Sequence, residues 1–160
     1  ILLYTMSSVY HGLRPGMGKK VMQVLDHCTI YFLIAGSYTP VLLVAMRPKY
    51  TILAWTLFGI VWGCAILACT LTAVDLKKYS IFSMICYLAM GWTIIFFIKQ
   101  TYDVMTLGGV LFLVTGGIAY TIGSILYGLG KKKKWMHSIF HLFIIAGSVL
   151  HFFAIIFYAL

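Results

Sequence analysis

Five long apolar stretches constrain the fold of this chain more than any other feature of its sequence. They cover residues 21–46, 50–74, 79–98, 104–129 and 135–160. A helix needs about 20 mostly apolar residues to cross the hydrocarbon core of a bilayer, which is about 30 Å thick, and each stretch reaches that length. Charged residues make up 9% of the chain, against about 25% in soluble domains. The sequence therefore predicts an all-α polytopic transmembrane helix bundle that forms one domain over residues 1–160.

A sixth apolar stretch, residues 1–13, is too short to span a bilayer. At a rise of about 1.5 Å per residue it would measure about 20 Å. The chain starts at Ile1, without a methionine. We interpret this stretch as the visible part of a truncated helix whose beginning is missing, which gives six visible helices in all.

The basic residues orient this predicted bundle. Because the connections are short, consecutive helices run antiparallel and the connections alternate between the two faces. One face carries nine of the 12 basic residues, namely Arg14, Lys19, Lys20, Lys77, Lys78, Lys131, Lys132, Lys133 and Lys134. The other face carries the remaining three, Arg47, Lys49 and Lys99. Positive charge marks the cytoplasmic side, so we expect a multi-pass plasma-membrane protein with Leu160 outside.

The same rule accounts for the net charge of +9 without a nucleic-acid partner. Membrane lipids are then the expected surroundings of the chain.

Glycine and proline residues give three further expectations about helix packing. Gly59-x-x-x-Gly63 matches a pattern typical of helix contacts in membranes, and the glycines near residues 108–117 indicate another close approach. Pro40 should bend its helix or open the hydrogen bonding locally.

Ionisable residues inside a membrane are costly and are therefore functional candidates. His11 lies near the end of the first helix, Asp26 and His27 near the start of the second, and His137 and His141 near the start of the last. The helical rise places all of them within about 9 Å of the predicted cytoplasmic face. Three helices thus bring chemically versatile side chains to one depth, which scattered core residues would not do.

The spacing of these residues indicates a metal site. His137 and His141 are separated by four residues and project from one helix face, and Ser7 and His11 repeat that spacing. Three neutral imidazoles, from His11, His137 and His141, leave the fourth position of a tetrahedral zinc ion open for water. Zinc lowers the pKa of such a water to about 7. Asp26 would accept a hydrogen bond from the zinc-bound water or act as general base. The Ser7 hydroxyl would donate to a developing oxyanion or orient that carboxylate.

Each residue also has a simpler interpretation. The two histidines of the last helix, taken alone, are weak evidence for a metal, and His11 alone would face lipid headgroups. Asp26 alone could pair with Lys20. His27 points about 100° away from Asp26 on the helix, which favours an interfacial or supporting role over metal binding.

His151 lies about 15 Å deeper than these residues, and we expect it to be a hydrogen-bonded core residue. His137 and His151 are 14 residues apart, the spacing with which one helix holds two haems. A second helix with a matching pair is missing from the sequence, so the haem interpretation is disfavoured.

Four motifs make the chain resemble a known family. They are S-S-V-Y-H at residues 7–11, L-D-H at 25–27, I-A-G-S-Y-T-P at 34–40 and H-S-I-F-H at 137–141. Their order and spacing are similar to the hemolysin III branch of the progestin and adipoQ receptor family, which are seven-helix membrane proteins. The resemblance implies that the visible helices are the second to the seventh, with the first helix and half of the second missing here. It also implies that the N-terminal side of the seven-helix protein is cytoplasmic, which agrees with the distribution of basic residues.

The resemblance also implies a zinc ion held by His11, His137 and His141, with Asp26 at the zinc water and Ser7 beside it. The functional hypothesis is a zinc-dependent hydrolase of lipid amides or esters, similar to a ceramidase, which takes its substrate from the inner leaflet and affects membrane lipid homeostasis. Two alternatives remain open. One is a hemolysin that forms pores, and the other is a non-enzymatic membrane sensor with structural zinc.

Overall fold

A computed structural model of the chain describes residues 1–130 and 135–160, without the side chains of residues 129, 130 and 137. The regular secondary structure of this part of the chain is entirely helical, and it contains no strand. Its helices are α1 (Leu2–Gly12), α2 (Met17–Pro40), α3 (Thr51–Val74), α4 (Ser80–Trp92), α5 (Ile98–Gly130) and α6 (Met136–Tyr158). A π-helical segment, Val41–Met46, extends α2, and a 3-10 segment, Thr93–Phe97, joins α4 to α5. The predicted all-α bundle is confirmed.

Four helical segments of the described chain are long and apolar enough to cross a membrane. They are Met17–Met46, Thr51–Val74, Ser80–Gly128 and Ser138–Tyr158. The third contains 49 residues and would measure about 74 Å if it were straight, more than twice the thickness of a hydrocarbon core. It must therefore cross the membrane more than once.

The chain reverses its direction at Thr106, inside this third segment. Thr106 has φ 59° and ψ 176°, which no helix contains. The indole Nε1 of Trp92 donates a hydrogen bond of 3.0 Å to Oγ1 of Thr121, although these residues would lie about 44 Å apart on one straight helix. The sequence predicts a connection over residues 99–103, but those residues are helical and the turn lies just after them, before Gly108 and Gly109.

The helix after Pro40 opens as predicted. Proline has no N–H and cannot donate to the preceding turn. The segment that follows it is π-helical, and its hydrogen bonds span five residues, as in the 2.9 Å bond from the Arg47 N–H to the Leu42 carbonyl. Pro40 therefore loosens α2 near one end of the bundle and leaves the rest of the helix regular.

Glycines allow α5 and α6 to approach closely. A Cβ added to Gly116 would lie 2.7 Å from Nε2 of His151, and one added to Gly147 would lie 2.8 Å from the Tyr120 ring. Gly108 and Gly109 face Tyr158 in the same way. The close approach expected near residues 108–117 is thus confirmed.

The contact expected at Gly59 and Gly63 is absent within the described chain. Both residues are exposed, and a Cβ added to either would meet no described atom within 4 Å. This prediction is wrong for packing inside the chain. The small-residue pattern marks a close contact only when a second helix lies on that face, and α3 turns this face away from its neighbours.

Hydroxyl groups join the three central helices inside the apolar core. The Tyr31 hydroxyl of α2 lies 3.1 Å from Oγ1 of Thr72 on α3, and that atom lies 3.0 Å from Oγ of Ser83 on α4. All three side chains are buried. The same Thr72 oxygen donates to the Ala68 carbonyl of its own helix, at 2.8 Å. Each polar group in this string is therefore satisfied away from water.

The connections of the described chain gather at two ends of the bundle. Residues 13–20 and 75–79 form one end, called the basic end here because it carries Arg14, Lys19, Lys20, Lys77 and Lys78. At the opposite end Lys49 forms an ion pair of 2.5 Å with Asp103, which also accepts a hydrogen bond from the Tyr50 hydroxyl. The bond to Asp103 raises the pKa of Lys49. This pair ties the connection after α2 to the start of α5.

Candidate metal centre

Two histidines from opposite ends of the chain lie side by side at the basic end. His11 is the penultimate residue of α1, and His141 lies in the second turn of α6. Their ring centroids are 5.3 Å apart, and their planes are inclined by 84°. These residues are 130 positions apart in sequence, so only the packing of the bundle brings them together.

A backbone carbonyl determines which nitrogen of the His11 ring carries the hydrogen. Nδ1 of His11 lies 2.8 Å from the carbonyl oxygen of Ser7. A carbonyl can only accept, so Nδ1 carries the hydrogen, and Nε2 of the neutral ring holds the lone pair. A carbonyl partner of this kind orients many metal-binding histidines. The spacing of four residues between Ser7 and His11 therefore supplies a carbonyl to the ring.

The separation of the two rings fits a shared metal ion. Zinc binds imidazole nitrogen at about 2.0–2.1 Å, and the ring centre lies about 1.1 Å behind that nitrogen, which places each centroid about 3.2 Å from the metal. A tetrahedral angle then separates the two centroids by about 5.2 Å. The 5.3 Å observed for His11 and His141 agrees with this value.

The third expected ligand, His137, has a side chain outside the described residues. Its backbone lies in the first turn of α6, one turn before His141. Among the described side chains, no three His, Cys, Asp or Glu residues come close enough to hold a metal. The described part of the site is thus the pair of imidazoles, and the role of His137 stays a prediction.

Asp26 lies half-buried in α2 near the basic end. Its backbone carbonyl accepts a 2.8 Å hydrogen bond from Oγ1 of Thr29. No ion pair joins its carboxylate to Lys20 within the described chain, so the simpler interpretation of this acid is not supported.

Tyr127 connects the start of α2 to the histidine pair, a role that the sequence did not reveal. Its hydroxyl lies 3.4 Å from Nε2 of His27, whose Nδ1 bonds the Gln23 carbonyl at 2.8 Å. Its ring packs on Phe140 at 5.2 Å, and Phe140 packs on His141 at 4.9 Å. The one available signal was its position near the end of α5, level with the histidines.

His151 is a hydrogen-bonded residue of the bundle interior, as the sequence predicts. Its Nε2 lies 3.1 Å from the Leu113 carbonyl, and the Tyr120 ring meets it edge-on at 5.2 Å. It belongs to the glycine-rich contact between α5 and α6. The structure gives it no part in the histidine pair.

An open cavity of about 470 Å³ lies farther from the basic end than the histidine pair, beside residues 1–4. Its walls come from α1, α2, α5 and α6, and they are mainly apolar. The hydroxyls of Tyr4, Thr29, Ser37 and Ser148 are among the polar groups that line it. Its size is typical of ligand sites, which span about 300–1,000 Å³.

The family model and the relatives found by comparison with known proteins match nearly the whole chain. The family model described as Haemolysin-III related matches residues 1–152. Hemolysin-3 of Bacillus cereus is 40% identical over 99% of this chain and 71% of its own length. The Hemolysin-3 homolog of Bacillus subtilis (strain 168) is 37% identical over 99% of this chain and 72% of its own length.

A more distant relative is the human monocyte to macrophage differentiation factor. It is 26% identical over 96% of this chain and 64% of its own length. No solved structure matches the chain at a comparable level of significance. The family match covers nearly every described helix, including those that carry the two imidazoles. The chain is a multi-pass membrane protein and belongs to the Haemolysin-III related family.

Proposed function

We propose that this protein is a zinc-dependent hydrolase of lipid amides or esters. The observation that carries the proposal is the His11–His141 pair, with ring centroids 5.3 Å apart. The Ser7 carbonyl leaves the lone pair of His11 on Nε2, as metal binding at that nitrogen requires. His137 is the third ligand in the proposal, on the basis of its spacing from His141.

Zinc bound at such a site polarises a carbonyl oxygen and lowers the pKa of a water molecule. Asp26 takes the proton from the water that attacks the substrate carbonyl carbon. The carboxylic acid then returns that proton to the amine or alcohol as the C–N or C–O bond breaks. Ser7 orients His11 through its carbonyl, and its hydroxyl is the donor proposed for the developing oxyanion.

The cavity supports a lipid as the substrate. Its walls are mainly apolar and share α1 and α6 with the two imidazoles, so an acyl chain in the cavity would have its carbonyl end directed along those helices. The histidines lie at the basic end, which we propose to face the cytoplasm because it carries most of the positive charge. The substrate would then come from the inner leaflet of the cell membrane.

The test is turnover of ceramide and of phospholipid by the purified intact protein. We expect hydrolysis that a zinc chelator abolishes and that added zinc restores. His141→Ala should lower turnover by at least 100-fold. Leu142→Ala is the matched control, because Leu142 is 66% exposed on the same helix, and it should retain activity. Turnover that neither the chelator nor His141→Ala changes would exclude the proposal.

The name of the Bacillus cereus relative, Hemolysin-3, makes membrane lysis the competing function. Dye release from liposomes separates the two functions. A hydrolase should release dye only where its lipid is cleaved, and the double variant His137→Ala, His141→Ala should release none. Release that persists in this variant supports a pore. Zinc binding without turnover of any lipid supports a sensor with structural zinc.

A further inference from the structure

Tyr4 and Ser148 form a second contact between the two helices that carry the imidazoles. The Tyr4 hydroxyl of α1 donates a 2.5 Å hydrogen bond to Oγ of Ser148 on α6. It also lies 3.3 Å from the Ile144 carbonyl. The single phenolic hydrogen is directed to Ser148, with the Ile144 carbonyl as a longer second acceptor, and this contact limits sliding between the helices.

The position of this contact relates it directly to the histidine pair. Tyr4 precedes His11 by seven residues, and Ser148 follows His141 by seven residues. Seven residues are nearly two helical turns, or about 10.5 Å, so each side chain lies on the same face as the histidine of its own helix. Because α1 and α6 run antiparallel, the Tyr4–Ser148 contact lies about two helical turns from the His11–His141 contact along both helices.

A third hydroxyl holds Ser148 in place. The Tyr120 hydroxyl of α5 lies 2.8 Å from Oγ of Ser148. The Tyr120 ring fits there because Gly147 has no side chain, since a Cβ at that position would lie 2.8 Å from the ring. Tyr4 and Tyr120 thus connect the serine of α6 to α1 and to α5.

The spacing between α1 and α6 depends on such side chains. Among the described residues, α1 packs closely against α2, whereas its backbone makes little contact with α6. The side chains of Tyr4, Ser148 and Tyr120 are all half-buried and line the cavity. A hydroxyl that loses its partner there would face mainly apolar walls, which is costly, so the hydroxyl cluster resists separation of the helices. The hydroxyls of Tyr4, Ser148 and Tyr120 are called the hydroxyl rung below.

We propose that the hydroxyl rung is a positioning device that sets the separation of the His11 and His141 imidazoles. Its functional meaning rests on the metal centre proposed above. Tyr4 is then a positioning residue, since it acts on the metal through α1 and touches neither the ion nor the reacting atoms.

Cobalt binding tests this role, because Co²⁺ occupies zinc sites and absorbs visible light. Tyr4→Phe removes one hydroxyl and keeps the ring. In the intact purified protein we expect Tyr4→Phe to weaken Co²⁺ binding by about tenfold, the lower range for residues that orient metal ligands, and to alter the visible spectrum. Ser148→Ala should do the same.

Tyr38→Phe is the matched control. The Tyr38 hydroxyl is also buried between helices, where it donates to the Gly91 carbonyl at 2.9 Å and accepts from the Ile94 N–H at 3.0 Å. It joins α2 to the end of α4, away from the α1–α6 pair. If Tyr4→Phe and Tyr38→Phe affect cobalt binding equally, the positioning role is overturned.

A second measurement needs no metal. Nitroxide labels at Val9 and Leu142, both exposed, report the distance between α1 and α6 by electron paramagnetic resonance, in a background without the four native cysteines. We expect the distance distribution to broaden in Tyr4→Phe and to stay narrow in Tyr38→Phe. A narrow distribution in Tyr4→Phe overturns the inference. A wild-type protein that binds no cobalt, with a distribution that broadens in Tyr4→Phe, refutes the metal centre and leaves the rung intact.

Discussion

At the scale of single residues, some contacts of the candidate site could be predicted from the sequence and others could not. The depth and spacing of His11 and His141 predicted their meeting, because antiparallel helices bring residues of equal depth together, and their ring separation agrees with it. Tyr127 could not be predicted in the same way. Its contact with His27 depends on how α5 lies against α2, and no periodicity along one helix contains that information.

Asp26 provides the first prediction at this scale. Replacement by Asn keeps the shape and removes the base, so lipid turnover should fall by about 10²–10⁴-fold. Cobalt affinity should stay unchanged, because Asp26 is proposed to handle protons and not to bind the metal. Turnover and cobalt titration of the same preparation measure both quantities.

Asp75→Asn is the control for this prediction. Asp75 lies in the connection between α3 and α4, where its carboxylate accepts hydrogen bonds from the backbone N–H groups of Lys77 and Lys78 at 3.1 and 2.9 Å. Turnover should not change in this variant. Loss of cobalt binding in Asp26→Asn would show instead that the carboxylate is a ligand.

Thr106 provides the second prediction. A backbone with φ 59° and ψ 176° belongs to a region that is essentially restricted to glycine and costs other residues about 1–3 kcal/mol. Thr106→Gly should therefore raise the thermal midpoint of unfolding in detergent, even after the entropy cost of glycine, about 0.5–1 kcal/mol. Thr106→Ala keeps a Cβ and should bring no increase. An equal rise in both variants would argue against backbone strain.

At the scale of helices, the sequence predicted which helices form and in what order better than it predicted the contacts between them. Hydropathy located α2, α3 and α6 because apolar length is a property of each segment alone. The turn at Thr106 was displaced from the expected connection, since the polar residues Lys99 and Asp103 remain inside a helix that nothing interrupts before residue 106. Gly59 and Gly63 show the same limit, because their spacing does not indicate which neighbour, if any, they meet.

The contact between α5 and α6 can be tested with two adjacent glycines. A Cβ at Gly116 would lie 2.7 Å from Nε2 of His151 and 3.2 Å from the Gly147 carbonyl, whereas a Cβ at Gly117 would meet the Trp92 ring at 3.6 Å. Overpacking of this kind costs about 1–3 kcal/mol. Gly116→Ala should therefore lower the thermal midpoint in detergent, and Gly117→Ala should leave it unchanged or raise it. Equal midpoints would contradict the close approach of these helices.

At the scale of the whole molecule, the alternation of connections agrees with the contacts. The Lys49–Asp103 ion pair joins two segments that the sequence assigned to the same face. Which face meets the cytoplasm follows from charge alone and remains a prediction. Sequence and structure therefore agree on the shape of the bundle, while its direction in the membrane depends on how it is inserted.

Reporter fusions in a bacterial host measure that direction. We expect alkaline phosphatase fused after Leu160 to be active, because it folds only outside the cytoplasm, and green fluorescent protein at the same site to be dark. Fusions after Lys77, at the basic end, should give the opposite pattern. Phosphatase activity after Lys77 together with fluorescence after Leu160 would reverse the proposed orientation.

The string formed by Tyr31, Thr72 and Ser83 has a consequence for biosynthesis. Each hydroxyl enters the lipid on a separate helix, and Thr72 does so with a carbonyl of its own helix as a partner that the folded bundle retains. The ribosome delivers α2 first, then α3 and then α4, so Thr72 can meet Tyr31 before Ser83 arrives. The core of the bundle can thus close in the order of translation, and each new helix satisfies the polar group left by the previous one.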